Sequence, residues 1–161
     1  MLESVMTRKA RGLTLVELLI TVVVLGGLAS VAVPTFREVL AKRRVEGVAN
    51  ELSADLQYAR TQAVADNTTV TLATTSTTSY TITGNQTYKT VTLGQGSTVT
   101  NGATIAFLPL RGCTNATCSA ADVSIDIANS GTTSTLRVRV NNMGRVQLCT
   151  PGGSFGGYST C

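Results

Sequence analysis

Histidine and tryptophan are both absent from the 161 residues, aromatic side chains make up only 4%, and charged side chains only 14%. Without histidine there is no Ser-His-Asp or Cys-His relay, no imidazole base and no His-ligated metal. A hydrolase built on a lone serine would lack its base. So few aromatics also exclude the base-stacking surfaces of RRM and OB modules. The charge content falls well below the usual quarter. Yet the mean hydropathy is +0.21, so an apolar segment must raise the average. It lies at the N-terminus.

From Leu13 to Val33 the chain reads LTLVELLITVVVLGGLASVAV, apolar apart from Thr14, Glu17, Thr21 and Ser30. As a helix this run is roughly 30 Å long, about the thickness of a bilayer core. Arg8, Lys9 and Arg11 precede it, and no comparable basic cluster follows until Lys42-Arg43-Arg44. The positive-inside rule then keeps the N-terminus in the cytoplasm and sends the rest across the membrane. Four cysteines in the exported part agree with an oxidising compartment. A secretory signal cleaved near Leu28–Ala32 is an alternative, but its apolar core is usually shorter and lacks a carboxylate. A plain anchor gives no reason for Glu17, because an acid in a membrane span costs about 2.5–3.5 kcal/mol.

Arg11-Gly12-Leu13-Thr14-Leu15-Val16-Glu17-Leu18-Leu19 resembles the class III signal of type IV pilins and type II secretion pseudopilins. The resemblance implies that a prepilin peptidase cuts between Gly12 and Leu13 and methylates the new N-terminus. Glu17 then becomes the fifth residue, the position whose carboxylate pairs with the N-terminal amine of an adjacent subunit. Most members begin with Phe, where this chain has Leu13. Pro34 matches the helix-bending proline common in pilins. Loss of residues 1–12 leaves 10 basic and 8 acidic side chains.

Beyond Pro34 the helical pattern continues to about Asp66, with Val45, Val48, Leu52, Leu56, Ala59 and Ala63 marking one apolar face. Arg44, Glu51, Asp55 and Arg60 fall mostly off that face. Lys42-Arg43-Arg44 reads as a solvated face just outside the membrane, with anionic headgroups as the alternative. Leu56-Gln57-Tyr58-Ala59-Arg60, with Asn67 and Val70-Thr71-Leu72, resembles the GspH/FimT branch, which includes FimU-like minor pilins. The implied fold class is α+β. A long N-terminal helix, half transmembrane and half amphipathic, is followed by a mainly antiparallel β-sheet domain. The corresponding segments are a cleaved leader over 1–12, a membrane and filament-core helix over 13–34, its amphipathic continuation over 35–67, and a periplasmic β-domain over 68–161.

After Asn67 the composition turns to Thr, Ser, Gly and Asn. Alternation predicts strands over Val70–Thr74, Tyr80–Thr83, Tyr88–Leu93, Thr104–Leu108, Val123–Ala128, Leu136–Val140 and Arg145–Cys149. Residues 74–79 read as a loop. Gly84-Asn85, Gly94-Gln95-Gly96, Asn101-Gly102 and Asn129-Ser130-Gly131 are turn signals.

Cys113, Cys118, Cys149 and Cys161 allow three pairings. Cys113–Cys118 and Cys149–Cys161 are favoured because each closes a local loop that otherwise lacks a core. The second would pin the Gly-rich tail. A zinc site has no CxxC pair and no histidine to support it.

Residues 136–148 predict a hairpin with the turn Asn142-Met143-Gly144. Val138 then opposes Leu148 and Val140 opposes Val146 toward the core. Arg137, Arg139, Arg145 and Gln147 share the other face, a positive patch without a carboxylate and a candidate phosphate contact. Some FimT-like proteins are DNA receptors for natural transformation through a Gly-Arg-x-Arg motif. The matching residues here are Gly144, Arg145, Val146 and Gln147, with Gln147 in place of the second arginine.

The expected function is non-enzymatic, without metal or cofactor. It is that of a minor pilin in the bacterial inner membrane, single-pass with a periplasmic domain, later built into a surface type IV pilus whose assembly it helps to initiate, with the tip as a candidate position. Its expected partners are other minor and major pilins and the prepilin peptidase. The alternatives are a DNA-uptake subunit and a type II secretion pseudopilin.

Overall fold

The computed structural model describes residues 12, 14–110, 121–152 and 155–161. Cys113 and Cys118, their favoured pairing, and Leu13 lie outside these residues. The chain divides between Phe36 and Arg37 into two compact units. One helix, α1 (Leu15–Ala65), contributes to both.

Thr14 starts α1. Its hydroxyl accepts the Glu17 amide at 3.2 Å and its carbonyl accepts the Leu18 amide at 3.1 Å. Thr14-Leu15-Val16-Glu17 has the spacing of a capping box, and the Glu17 carboxylate sits in the first turn, where the helix dipole favours it. Pro34 lies within the helix and does not end it. Termination comes at Asn67, whose φ of 50° is left-handed, while the Thr68 amide reaches back to the Ala63 carbonyl at 3.2 Å. This is a Schellman closure with Asn in the position glycine usually takes.

The second unit carries eight strands: β1 (Val70–Ser76), β2 (Ser79–Thr83), β3 (Thr87–Thr92), β4 (Ser97–Asn101), β5 (Thr104–Phe107), β6 (Val123–Asn129), β7 (Thr132–Val140) and β8 (Val146–Cys149). They form two antiparallel sheets in the orders β3-β2-β1-β5 and β4-β6-β7-β8. The expected α+β class is therefore present.

Two expectations need correction. Residues 74–79 are not a loop: β1 runs to Ser76 and β2 begins at Ser79. The short turn between them is tied down where the Thr77 and Thr78 carbonyls accept the Val99 and Leu93 amides, each at 2.7 Å. In addition, β4 is a strand that alternation does not predict, because Val99 is the lone apolar residue of Ser97–Asn101.

The core lies between the sheets and the later half of α1. Val45, Ala49, Leu52, Leu56, Ala59 and Ala63 from the helix join Leu72, Tyr80, Ile82 and Phe107 from one sheet and Ile125, Ile127, Leu136 and Val138 from the other. The helical residues recur every three or four positions, as a buried stripe requires. Alternate strand residues point to this core, leaving threonines outward to water.

Candidate functional site

Three regions carry the residues singled out in the sequence. The first is the N-terminal stretch of α1. Its large apolar residues are all exposed in the isolated chain, from Leu15 and Val16 through Leu18, Leu25 and Leu28 to Val33. One 18-residue window there has a mean hydropathy of 2.4 and no buried residue, long and apolar enough to cross a membrane. The polar side chains within it turn onto their own helix. Thr21 donates to the Leu18 carbonyl and Ser30 to the Gly27 carbonyl, each at 2.7 Å. Such internal bonds suit an environment without water. Glu17 makes no ion pair among the described residues, so its carboxylate is available to a group from outside. Gly12 precedes the helix and is exposed.

The second region is the buried foot of the later helix. Asp55 does not lie off the apolar face as the sequence suggests, but is buried. Its carboxylate accepts the Tyr80 hydroxyl at 2.7 Å and the Lys89 ammonium at 2.8 Å to each oxygen. Lys89 also reaches Glu51 at 3.3 Å. Burial, reinforced by the bond to Asp55, pushes the Tyr80 hydroxyl far above its ordinary range. Hydrogen bonding to Asp55 raises Lys89, against the opposing effect of desolvation. The position is legible in the spacing: Asp55 lies three residues after Leu52 and four before Ala59, on the same stripe. Tyr88 similarly donates to Asp66 at the helix end.

The third region is the C-terminal hairpin and tail. β7 and β8 pair in the expected register, Val138 with Leu148, Arg139 with Gln147 and Val140 with Val146. The turn closes where Gly144 donates to the Asn141 carbonyl at 2.9 Å, with Gly144 at a φ of 73° that a side chain would strain. The tail is held by a Cys149–Cys161 disulfide with Cα atoms 5.0 Å apart. It tucks Phe155 into the core and brings the Tyr158 hydroxyl to Glu46 of α1 at 3.2 Å.

The arginine patch is smaller than alternation implies. Arg137 makes a two-pronged contact with Asp126, at 2.6 and 2.7 Å. Arg139 pairs with Asp122 at 2.7 Å. Both acids come from β6 or the residues before it, and they offset the charge that the hairpin alone would present. Arg145 has no ion pair among the described residues. It lines an open hollow of about 320 Å³ with Arg60, Gln57, Thr61, Gly144 and Val146. Arg60, at the end of the helix, joins the hairpin only in the folded chain, because the two are far apart in sequence. Among the described residues no three His, Cys, Asp or Glu side chains converge as a metal set.

Residues 48–144, more than half of the chain, match the family model described as type II transport protein GspH. The chain belongs to the GspH family. Residues 7–33 match the prokaryotic N-terminal methylation motif, so this GspH-family chain carries the processing signature of pilins and pseudopilins at its start. Two crystal structures of the Pseudomonas aeruginosa type IV minor pilin FimU have a similar fold. One has a TM-score of 0.51 at 19% identity, covering 64% of this chain and 90% of FimU. The other has a TM-score of 0.54 at 18% identity, covering 66% and 88%. No curated protein matches the chain. It thus belongs to the GspH family and shares its fold with a type IV minor pilin.

Proposed function

We propose that the chain is a non-enzymatic minor pilin that enters a type IV pilus and helps to initiate its assembly. In this reading a prepilin peptidase cuts between Gly12 and Leu13. The apolar start of α1, Leu15 to Val33, then anchors the subunit once through the inner membrane, with residues 68–161 in the periplasm. The same helix later packs among those of other pilins, where Glu17 meets an N-terminal amine. Pro34 has no backbone N–H to donate, so it removes one hydrogen bond from the helix.

The observation that carries the reading is the contrast along α1. From Ala41 onward one face is buried in the protein's own core, whereas Leu15 to Val33 bury nothing and expose a continuous apolar surface. Such a surface needs lipid or other helices to cover it. Two environments, a bilayer and then a filament, meet that need in turn. A strain carrying the chain with Glu17→Ala tests the assignment, with both membrane and sheared-filament fractions assayed. Processing with loss of filament entry supports it, and unchanged filament entry overturns it.

A second reading has its own observation. The Arg60–Arg145 hollow has two cations and no acid among its lining residues, which suits phosphate contact and keeps a DNA-uptake role in view. Duplex DNA binding that weakens with salt and is abolished by Arg60→Glu with Arg145→Glu would support it. Binding unaffected by those changes would retire it. The type II secretion alternative shares every feature above and is separated by whether the chain is found in pili or is required for protein export.

A further inference from the structure

Four cations follow the apolar run within eleven residues: Arg37, Lys42, Arg43 and Arg44. The structure sorts them. Lys42 pairs with Glu38 at 2.9 Å and Arg43 with Glu46 at 3.0 Å, each about one helical turn away. Arg37 and Arg44 have no ion pair among the described residues. They lie seven residues apart, on one face of α1. Both line a hollow of about 370 Å³ that is completed by Leu40, Ala41 and the two turns holding Gln95 and Ser130. No acidic side chain lines it.

The far wall of this hollow is fixed. Asn129 clamps the turns together, donating from Nδ2 to the Gln95 carbonyl at 3.0 Å and to Ser97 Oγ at 3.1 Å. Its Oδ1 accepts the Gly131 amide at 3.0 Å, and the Ser130 amide donates to the Gly96 carbonyl at 3.3 Å. Gly131 approaches the helix so closely that a Cβ there would lie 2.9 Å from the Ala41 Cβ. The result is a braced polar wall facing two unpaired guanidinium groups.

We infer that this hollow binds the phosphate of an anionic phospholipid headgroup in the membrane that anchors the chain. The inference rests on the anchoring reading above. Arg37 follows Val33, the end of the apolar run, by only four residues, and basic side chains just beyond a membrane span are drawn to anionic headgroups. Arg44 comes seven residues later on the same face, and helical side chains slant toward the N-terminus, so its guanidinium leans toward Arg37. Two planar donors without competing acids match a phosphate's oxygens. Leu40, partly exposed between them, gives the headgroup's glycerol an apolar contact.

The test titrates the full chain in neutral detergent with phosphatidylglycerol, phosphatidylcholine and inorganic phosphate, counting complexes by native mass spectrometry. Preferential binding of phosphatidylglycerol is expected, weakened roughly five-fold by each of Arg37→Gln and Arg44→Gln. Lys42→Gln with Arg43→Gln should change it less than about two-fold, since those cations are already paired. Equal binding of both lipids, or equal loss in Arg37→Gln/Arg44→Gln and in Lys42→Gln/Arg43→Gln, overturns the site. Inorganic phosphate displacing the lipid at equal concentration would make it a free-anion site instead, and overturns the lipid assignment. So would a loss of filament entry in Arg37→Gln/Arg44→Gln with lipid preference unchanged, which would mark a contact with another pilin. Flotation with phosphatidylcholine vesicles reads the anchoring separately. A chain that fails to float overturns the anchoring and this inference together, whereas one that floats without lipid preference overturns this inference alone.

Discussion

Asp55 of α1 accepts the buried hydroxyl of Tyr80 on β2 at 2.7 Å, and through this contact the amphipathic half of the helix is locked in rotation and register against the first sheet. Apolar packing alone tolerates small rotations, whereas a buried carboxylate with two donors does not. Lys89 on the edge strand β3 completes the set by donating to both oxygens of the same carboxylate.

Replacing Asp55 by Ala should therefore be costly. It strands a buried hydroxyl and leaves a half-buried ammonium with only Glu51, at about 2–3 kcal/mol. Tyr80→Phe should cost about 1 kcal/mol. Denaturant unfolding of both single variants and the double would show the coupling as non-additivity. Strict additivity would mean the contact contributes nothing.

The same cluster sets an alkaline limit. Tyr80 and Lys89 both have folded-state values above their ordinary 10.0 and 10.5. A raised value contributes stability below the unfolded value and loses it as pH rises toward the folded one. Stability should thus hold from neutral pH to about pH 10 as far as these groups are concerned, then fall. In Tyr80→Phe the fall should be shallower. A series of melts from about pH 8 to about pH 11.5 checks the slope.

Arg137 and Arg145 sit on the same hairpin with opposite consequences. Arg137→Ala breaks the two-pronged pair with the mostly buried Asp126 and should cost about 1–3 kcal/mol. Arg145→Ala, on an exposed turn with no ion pair among the described residues, should stay within about 0.5 kcal/mol. Thermal denaturation of the two variants distinguishes a structural arginine from one free for a ligand.

Gly131→Ala should destabilise by about 1–3 kcal/mol through overpacking against Ala41. Ala41→Gly in the same chain should recover part of that loss, despite its own helix-propensity cost. Recovery, read from the unfolding midpoint, identifies the close approach as the cause.

Reduction of the Cys149–Cys161 bridge should remove about 3 kcal/mol by the loop-entropy account. It should release the tail, with Tyr158 leaving Glu46 while the β6–β7 pairing persists. Hydrogen exchange with and without reductant would localise the loss to residues after Cys149.

Much of this architecture was legible in the chain. Arg11-Gly12 through Glu17 carries the N-terminal methylation motif at the head of α1, and the Val138–Leu148 and Val140–Val146 pairing follows from alternation about a single glycine turn. The Arg137–Asp126 pair was harder for a definite reason. Carrying the Asn129–Thr132 pairing straight along β6 and β7 would set Asp126 opposite Thr135. An irregularity between Ile127 and Asn129 shifts the register and puts Arg137 there instead. Strand β4 is hard to read because its inward positions are Ser97 and Val99, and Ser97 is a buried polar residue that accepts a hydrogen bond from Asn129. A polar residue buried by a distant partner leaves no local pattern. The Arg60–Arg145 hollow shares that difficulty, since its two cations are separated by most of the β-domain.

In the proposed role, the exposed helix from Leu15 to Val33 carries this subunit from membrane to filament. Quantitative mass spectrometry of sheared filaments, from cells expressing the chain or its Glu17→Ala variant, tests it most directly. Expected are a sub-stoichiometric, processed chain beginning at methylated Leu13 in the filaments, and a variant that is processed but confined to the membrane. A chain absent from filaments although processed and membrane-bound, or a variant incorporated as well as the parent, would contradict it.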